Sequence, residues 1–304
     1  MSMTDPVLAP GALPHRAASR RFFARISGSR RSVAKRSTSS LGAHLLLTAL
    51  SVLMMLPFVW MVLTSLKTLG EVGLDGWLPA RAQWKNYAEV FRVIPFGTFY
   101  FNSLFVAAWV TFLQVLSSAM AAFAFSRLDW PGRDRVFMLY LGTMMLPGLV
   151  MMIPNYQIMI ALGLVDTLAG LIIPAGFGAF GTFLMRQFML SIPKTLDEAA
   201  TIDGAGPWRL FWDVVLPLSR PGLITLTIFT FIGNYQSFFW PLVMLRRVTN
   251  YTLPIGLLYF DSSRGQSTHL LMAAVTMSVL PMVLLFVLLQ KYLVKGIAAG
   301  AVKG

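Results

Sequence analysis

The stretch "HLLLTALSVLMMLPFVWMVL", residues 44–63, runs for twenty positions with no Asp, Glu, Lys or Arg and no alternation of apolar and polar side chains. Roughly 20 apolar residues in helical geometry cross the ~30 Å of a bilayer's hydrocarbon, whereas strands of a membrane barrel alternate over segments of about ten. The stretch therefore reads as a membrane-spanning helix. Working outward, comparable runs lie at about 98–126, 136–161, 167–190, 221–245 and 269–290, which with 41–66 make six expected spans. Composition agrees: 56% of residues are hydrophobic, 12% are charged and mean hydropathy is +0.68, a balance that soluble domains rarely reach. The expected class is an all-α polytopic membrane protein with six transmembrane helices.

Lys and Arg orient it. Of the 25 basic residues, 18 fall in the tail 1–40, the 127–135 loop, the 186–220 region and the C-terminus. That excess predicts both termini and the 186–220 loop in the cytoplasm. The tail carries "HRAASRRFFARISGSRRSVAKRS" at 15–37. It has no apolar core of a cleavable signal, and it reads as a mostly disordered segment contacting lipid head groups rather than nucleic acid. The expected organisation is this tail followed by a membrane domain over 41–304.

The chain excludes several chemistries. It contains no Cys, and its three His residues, His15, His44 and His269, are far apart in sequence, so thiolate chemistry and a His-rich metal site are ruled out. No phosphate-cradling GxxxxGK[ST] occurs. If ATP drives this protein, another chain binds it. The spans are expected to hold no buried Asp, Glu, Lys or Arg of the sort that marks proton relays and ion-coupled carriers, Arg186 lying at a span end, and no constellation of nucleophile and base suggests an enzyme. Asp166, in the outer loop "LGLVDTLAG", is expected to be a solvated helix cap.

The cytoplasmic stretch "DEAATIDGAGPWRLFWDVVLP", residues 197–217, carries four acidic residues where most of the chain carries none. Thr195 followed by Glu198 matches a capping box that starts a helix. Gly204 and Gly206 are expected to take positive φ, and Pro207 to begin a second helix. Trp208, Phe211, Trp212 and Val215 then form an apolar stripe. Three partners for the stripe are open: the protein's own spans, the head groups, or a groove on another protein.

The spacing Glu198-Ala199-Ala200, three residues, Gly204, nine residues, Val214, one residue, Leu216-Pro217 resembles the EAA loop of permease subunits of binding-protein-dependent ABC importers. Val214 stands where an Ile is usual. The likeness extends over 41–304 and is greatest to carbohydrate-type permeases, through "LPARAQWKNYAEVF", Asn102, "MIPNYQIMIALGLVDTLAGLIIP" and "LVKGIAAGAVKG". It implies a type I importer permease fold and a coupling loop at about 193–221 that docks on a cytosolic ATPase. Glu198, Ala199, Ala200, Asp203, Gly204, Trp208, Phe211, Leu216 and Pro217 are its expected docking residues. It also implies that the chain binds no cofactor itself. ATP and Mg would be held by two ATPase subunits, beside a second related permease and a periplasmic or lipid-anchored sugar-binding protein, in the inner membrane of a bacterium.

A route for a polar solute needs hydrogen-bonding groups inside the bundle. The candidates are Asn155, Tyr156 and Gln157 in the third span and Asn234, Tyr235, Gln236 and Ser237 in the fifth, with Tyr235, Phe238 and Trp240 as rings that stack on sugars. The same groups also suit interhelical packing. Related permeases usually carry Trp-Asn-Asp where this chain has Tyr235-Gln236-Ser237. The expected function is half of the pathway of an ATP-driven sugar importer; the alternatives are an ABC import permease for glycerol phosphate or another small solute, and an ATP-independent secondary carrier.

Overall fold

The computed structural model describes residues 33–74, 76–264 and 267–301, and among them only helices and connecting turns occur. Two compact units divide the chain, one ending at Val59 and one beginning at Trp60. Helix α1, Val33–Ser65, starts eight residues earlier than expected, so residues 33–40 are helical backbone; the reading of the tail over 1–32 lies outside the described residues. The second unit contains α2 Lys85–Val93, α3 Phe96–Ser126, α4 Arg133–Gly142, α5 Met152–Ala161, α6 Ala169–Ala175, α7 Ala179–Leu190, α8 Thr195–Ile202, α9 Pro207–Leu218, α10 Arg220–Tyr235, α11 Phe239–Met244, α12 Leu253–Arg264 and α13 Thr268–Ala301.

Three helical stretches are unbroken, long and apolar enough to cross a bilayer: Leu41–Ser65, Phe96–Ser126 and Thr268–Gln290. The other three expected spans are each made of two shorter helices. At 136–161, α4 and α5 are separated around Pro147, whose ring removes a backbone donor and disfavours helix at the residue before it. At 167–190, α6 and α7 meet at 43°, with Pro174 in α6 and "GFG" at 176–178 between them. At 221–245, α10 stops at Tyr235 and α11 resumes at Phe239. Pro and Gly stand at the first two of these breaks, where each weakens a helix.

Helix α3 is the axis on which the second unit is built. Phe96, Phe99 and Ala107 belong to one buried cluster with Tyr235, Leu253 and Phe260; Val106 and Val110 to a second with Met159, Leu171 and Met244; Ala119, Ala122 and Phe123 to a third with Met185, Met189 and Leu226. Small residues let α7 lie against it: Cβ atoms added at Gly178 and Gly181 would collide with Gln114 and Ser118. Close backbone approach of this kind is how helices associate where lipid is as apolar as Leu.

Asp166 is not a solvated cap. Its side chain is 15% exposed and pairs with Arg247 at 2.5 Å. Oδ1 accepts the backbone N–H groups of Arg246 and Arg247 at 3.0 and 3.1 Å, and Asn250 Nδ2 donates to the Asp166 carbonyl at 2.6 Å. Asp166 adopts φ 60 to do so, a conformation that Asp tolerates because its short side chain bonds locally. Burial opposes its charge, but the two backbone donors and Arg247 outweigh that and hold the carboxyl well below the usual carboxylate range. The residue clamps the 162–168 loop to the 245–251 loop.

Candidate functional site

The stretch from Thr195 to Leu218 folds as two short helices at a tight turn, α8 and α9. Gly204 takes φ +80 and Gly206 does not, at φ −73 and ψ 172; only the first needs a residue without Cβ. Pro207 is the first residue of α9, as expected. The capping box is not formed. Lys194 is the N-cap, without a side-chain bond, and its carbonyl accepts Asp197 and Glu198 N–H at 3.0 and 3.1 Å. The chain enters α8 already helical from Lys194, which places Thr195 one position too late to cap.

The apolar stripe divides between two environments. Phe211 and Val215 are 1% and 0% exposed, and Phe211 packs edge-on to Phe123 of α3 at 5.2 Å. Trp208 and Trp212 remain 64% and 48% exposed. Residues 210–215 are wound as a π-helix, a local widening frequent at functional sites. Phe211, expected among the docking residues, is thus an internal anchor. Glu198, Ala199, Asp203, Gly204 and Trp208 are exposed together on the turn, while Ala200, Leu216 and Pro217 are half-buried. Among the described residues Glu198 makes no ion pair. Ile202, not singled out from sequence, is the most exposed large apolar residue of the element at 86%.

A second region gathers the expected pathway residues. A cavity of about 610 Å³ lies among α3, α5, α6, α10 and α11, lined by Asn155, Asn234, Ser237, Phe238 and Trp240 with Ser103 and Thr252. Trp240 donates its indole N–H to the Gly170 carbonyl at 3.2 Å, which fixes the ring. Asn234 donates to the Thr230 carbonyl at 2.8 Å and keeps its own carbonyl oxygen. Thr252 is 4% exposed and its hydroxyl has no partner among the described residues. Among the described residues no ionisable side chain lines this cavity.

Tyr156, Gln157, Tyr235 and Gln236 are not among its lining residues. Tyr235 is buried, stacks on Phe231 and donates to the Ser278 carbonyl at 2.9 Å, so it joins helices instead of meeting a solute. Tyr156 accepts from Arg246 at 2.8 Å, and Gln236 reaches the Met282 sulfur at 3.3 Å. Consecutive positions on a helix point 100° apart, so a run of polar residues cannot all face one cavity.

Residues 114–299 match the family described as "Binding-protein-dependent transport system inner membrane component". The chain belongs to this family. It is 32% identical to the arabinooligosaccharides transport system permease protein AraQ of Halalkalibacterium halodurans over 89% of this chain and 100% of that one. It is 34% identical to the sn-glycerol-3-phosphate transport system permease protein UgpE of Yersinia enterocolitica, over 72% of this chain and 81% of that one. Among solved structures it is similar to a chain of a bacterial ABC transporter "involved in the import of the acidic polysaccharide alginate", with TM-score 0.75 and 25% identity over 86% of this chain and 98% of that one. A binding-protein-dependent permease is a transport subunit rather than an enzyme.

Proposed function

We propose that this permease forms half of the pathway of an ATP-driven importer of a neutral mono-, di- or oligosaccharide and receives its drive through the α8–α9 turn. The observation that carries the substrate class is the cavity: amide and hydroxyl groups plus a fixed indole, with no ionisable side chain among its lining residues. Neutral hydroxylated rings suit such a surface, stacking on Trp240 and exchanging hydrogen bonds with Asn155, Asn234 and Ser237. The likeness to AraQ supports this reading. Likeness to UgpE favours glycerol phosphate as the second reading, but a desolvated phosphate calls for basic partners. Arg246 and Arg247 instead lie in the outer loop that Asp166 clamps.

The partners in this proposal are a second related permease, two cytosolic ATPase subunits that bind ATP and Mg, and a periplasmic or lipid-anchored sugar-binding protein. The membrane is the bacterial inner membrane, with both termini cytoplasmic. Glu198, exposed and without an ion pair among the described residues, supplies a charge for a basic residue on the ATPase, and Ala199, Ile202 and Trp208 supply apolar contact beside it. ATP-driven closure of the ATPases then shifts the permease between two packed states.

Two measurements test this. Uptake in the intact transporter should be competed by neutral saccharides and not by glycerol phosphate; the opposite pattern overturns the substrate class. Purified in mild detergent, the wild-type permease should carry its ATPase with it. Glu198→Arg should lower that yield by at least roughly tenfold, the effect of one like-charge contact in a docking site. Undiminished ATPase with Glu198→Arg overturns the docking role.

A further inference from the structure

Besides the apolar packing of Phe211 and Val215, a buried cation fastens the docking turn to its neighbours. Arg127, the residue that caps the C-terminal end of α3, has a side chain only 2% exposed and pairs with Asp197 in the first turn of α8 at 2.7 Å. Its other terminal nitrogen donates to the carbonyls of Met189 and Ile192, at 2.8 and 3.0 Å, where α7 ends. One guanidinium therefore joins three elements, in a position where its charge has no access to bulk water and a planar fork of donors is needed. Phe211 adds an apolar bolt from α9 to Phe123, one turn earlier on α3.

The opposite end of α3 is pinned as well. Asn102, 6% exposed, donates to the carbonyls of Thr249 and Tyr251 at 3.0 Å each. The neighbouring Ser103 hydroxyl accepts Leu253 N–H at 2.7 Å. Those bonds hold the outer loop at 245–251 that Asp166 ties to 162–168, and Ser103 and Val106 between the two ends line the cavity. Along its 31 residues, about 46 Å, α3 is fastened at one end to the docking turn and at the other to the outer loops.

We propose that α3 is the strut through which movement of the α8–α9 turn reaches the outer loops, with Arg127–Asp197 and Asn102 as its two end pins. This rests on the docking role assigned to α8–α9. Arg127, Asp197 and Asn102 are positioning residues: none lines the cavity, and Arg127 and Asp197 lie behind the exposed docking face. A helix can carry displacement between two sites only if each end is held in a defined arrangement that moves with its neighbour. Asp197→Asn keeps the shape of the inner pin and removes its charge, Arg127→Lys removes the fork, and Asn102→Leu strips both donors from the outer pin.

The test uses the complete transporter, permease pair, ATPases and binding protein, reconstituted in proteoliposomes. Solute taken up per ATP hydrolysed is measured beside ATPase co-purification. For Asp197→Asn and Asn102→Leu the strut predicts undiminished ATPase in the complex, continuing ATP hydrolysis and a yield of solute per ATP lowered about tenfold, the scale of a typical coupling free energy between sites. Arg127→Lys should behave alike at the inner end. The strut is overturned if solute per ATP stays at the wild-type value in the variants. It is also overturned if uptake and hydrolysis fall together, or if the ATPase is lost, because those outcomes mark purely structural residues. Failure of Arg127→Lys to insert leaves the decision to Asp197→Asn and Asn102→Leu. Retention of ATPase by Glu198→Arg would instead remove the docking role on which the strut depends.

Discussion

Asp166 shows what one residue contributes when its surroundings are supplied by a distant part of the chain. Read along the sequence it is a loop carboxylate; in space it is the node joining 162–168 to 245–251. Asp166→Asn preserves the positive-φ backbone, since Asn also tolerates it, and removes the carboxylate charge that faces Arg247. We expect a loss of about 2 kcal/mol at pH 7, the worth of charge-assisted bonds to a mostly buried carboxylate, read as a lower midpoint of thermal unfolding in detergent. The pH dependence follows from the sign. A carboxyl held below its ordinary range contributes stability that is complete above about pH 4 and is lost only as pH falls through its lowered value. The gap between wild type and Asp166→Asn should therefore stay constant from pH 7 to about pH 5; a gap closing over that interval would contradict the depressed carboxyl.

At the scale of the element, the α8–α9 turn depends on one glycine and not on its neighbour. Gly204 at φ +80 reverses the chain, whereas Gly206 at φ −73 has a conformation open to any residue. Gly204→Val places a β-branched side chain in the left-handed region at a cost of about 1–2 kcal/mol. It should reduce ATPase co-purification several-fold; Gly206→Ala should change it little, since this N-cap exchange removes no side-chain bond. Equal effects at both positions would mean that the turn is not held by backbone conformation. The two helices, their break and Pro207 at the start of the second were all legible from Gly and Pro. The partition of the stripe was not, because Trp208 and Phe211 are alike in sequence and differ only in that Phe123 stands opposite one of them.

The whole molecule places a polar, uncharged cavity beside α3, the helix whose C-terminal end is joined to the α8–α9 turn. If the fixed indole is the platform for a sugar ring, Trp240→Ala should raise the solute concentration for half-maximal uptake about tenfold, equivalent to about 1.4 kcal/mol. ATPase co-purification should remain as in wild type. An unchanged half-maximal concentration would assign Trp240 to packing through its bond to Gly170. Of the residues expected along the pathway, Asn155, Asn234, Ser237 and Trp240 converge and Tyr156, Tyr235 and Gln236 turn aside. Composition marks the segments that carry such groups, while helix rotation selects which of them face inward.

The sequence by itself determined that the chain is helical and lives in a membrane, through long apolar runs without alternation, and it determined where the α8–α9 turn lies through Gly204 and Pro207. These are local properties: hydrocarbon thickness sets the length of a run, and backbone sterics set the value of Gly and Pro. Tertiary structure decided the rest. It broke three of the six expected spans in two, turned Phe211 and Val215 inward, and brought Arg127 to Asp197 and Asp166 to Arg247 across 70 and 81 positions of chain. Each of those outcomes is a choice of partner, and a charge or an aromatic ring has its effect only once packing has determined what stands within a few ångströms of it.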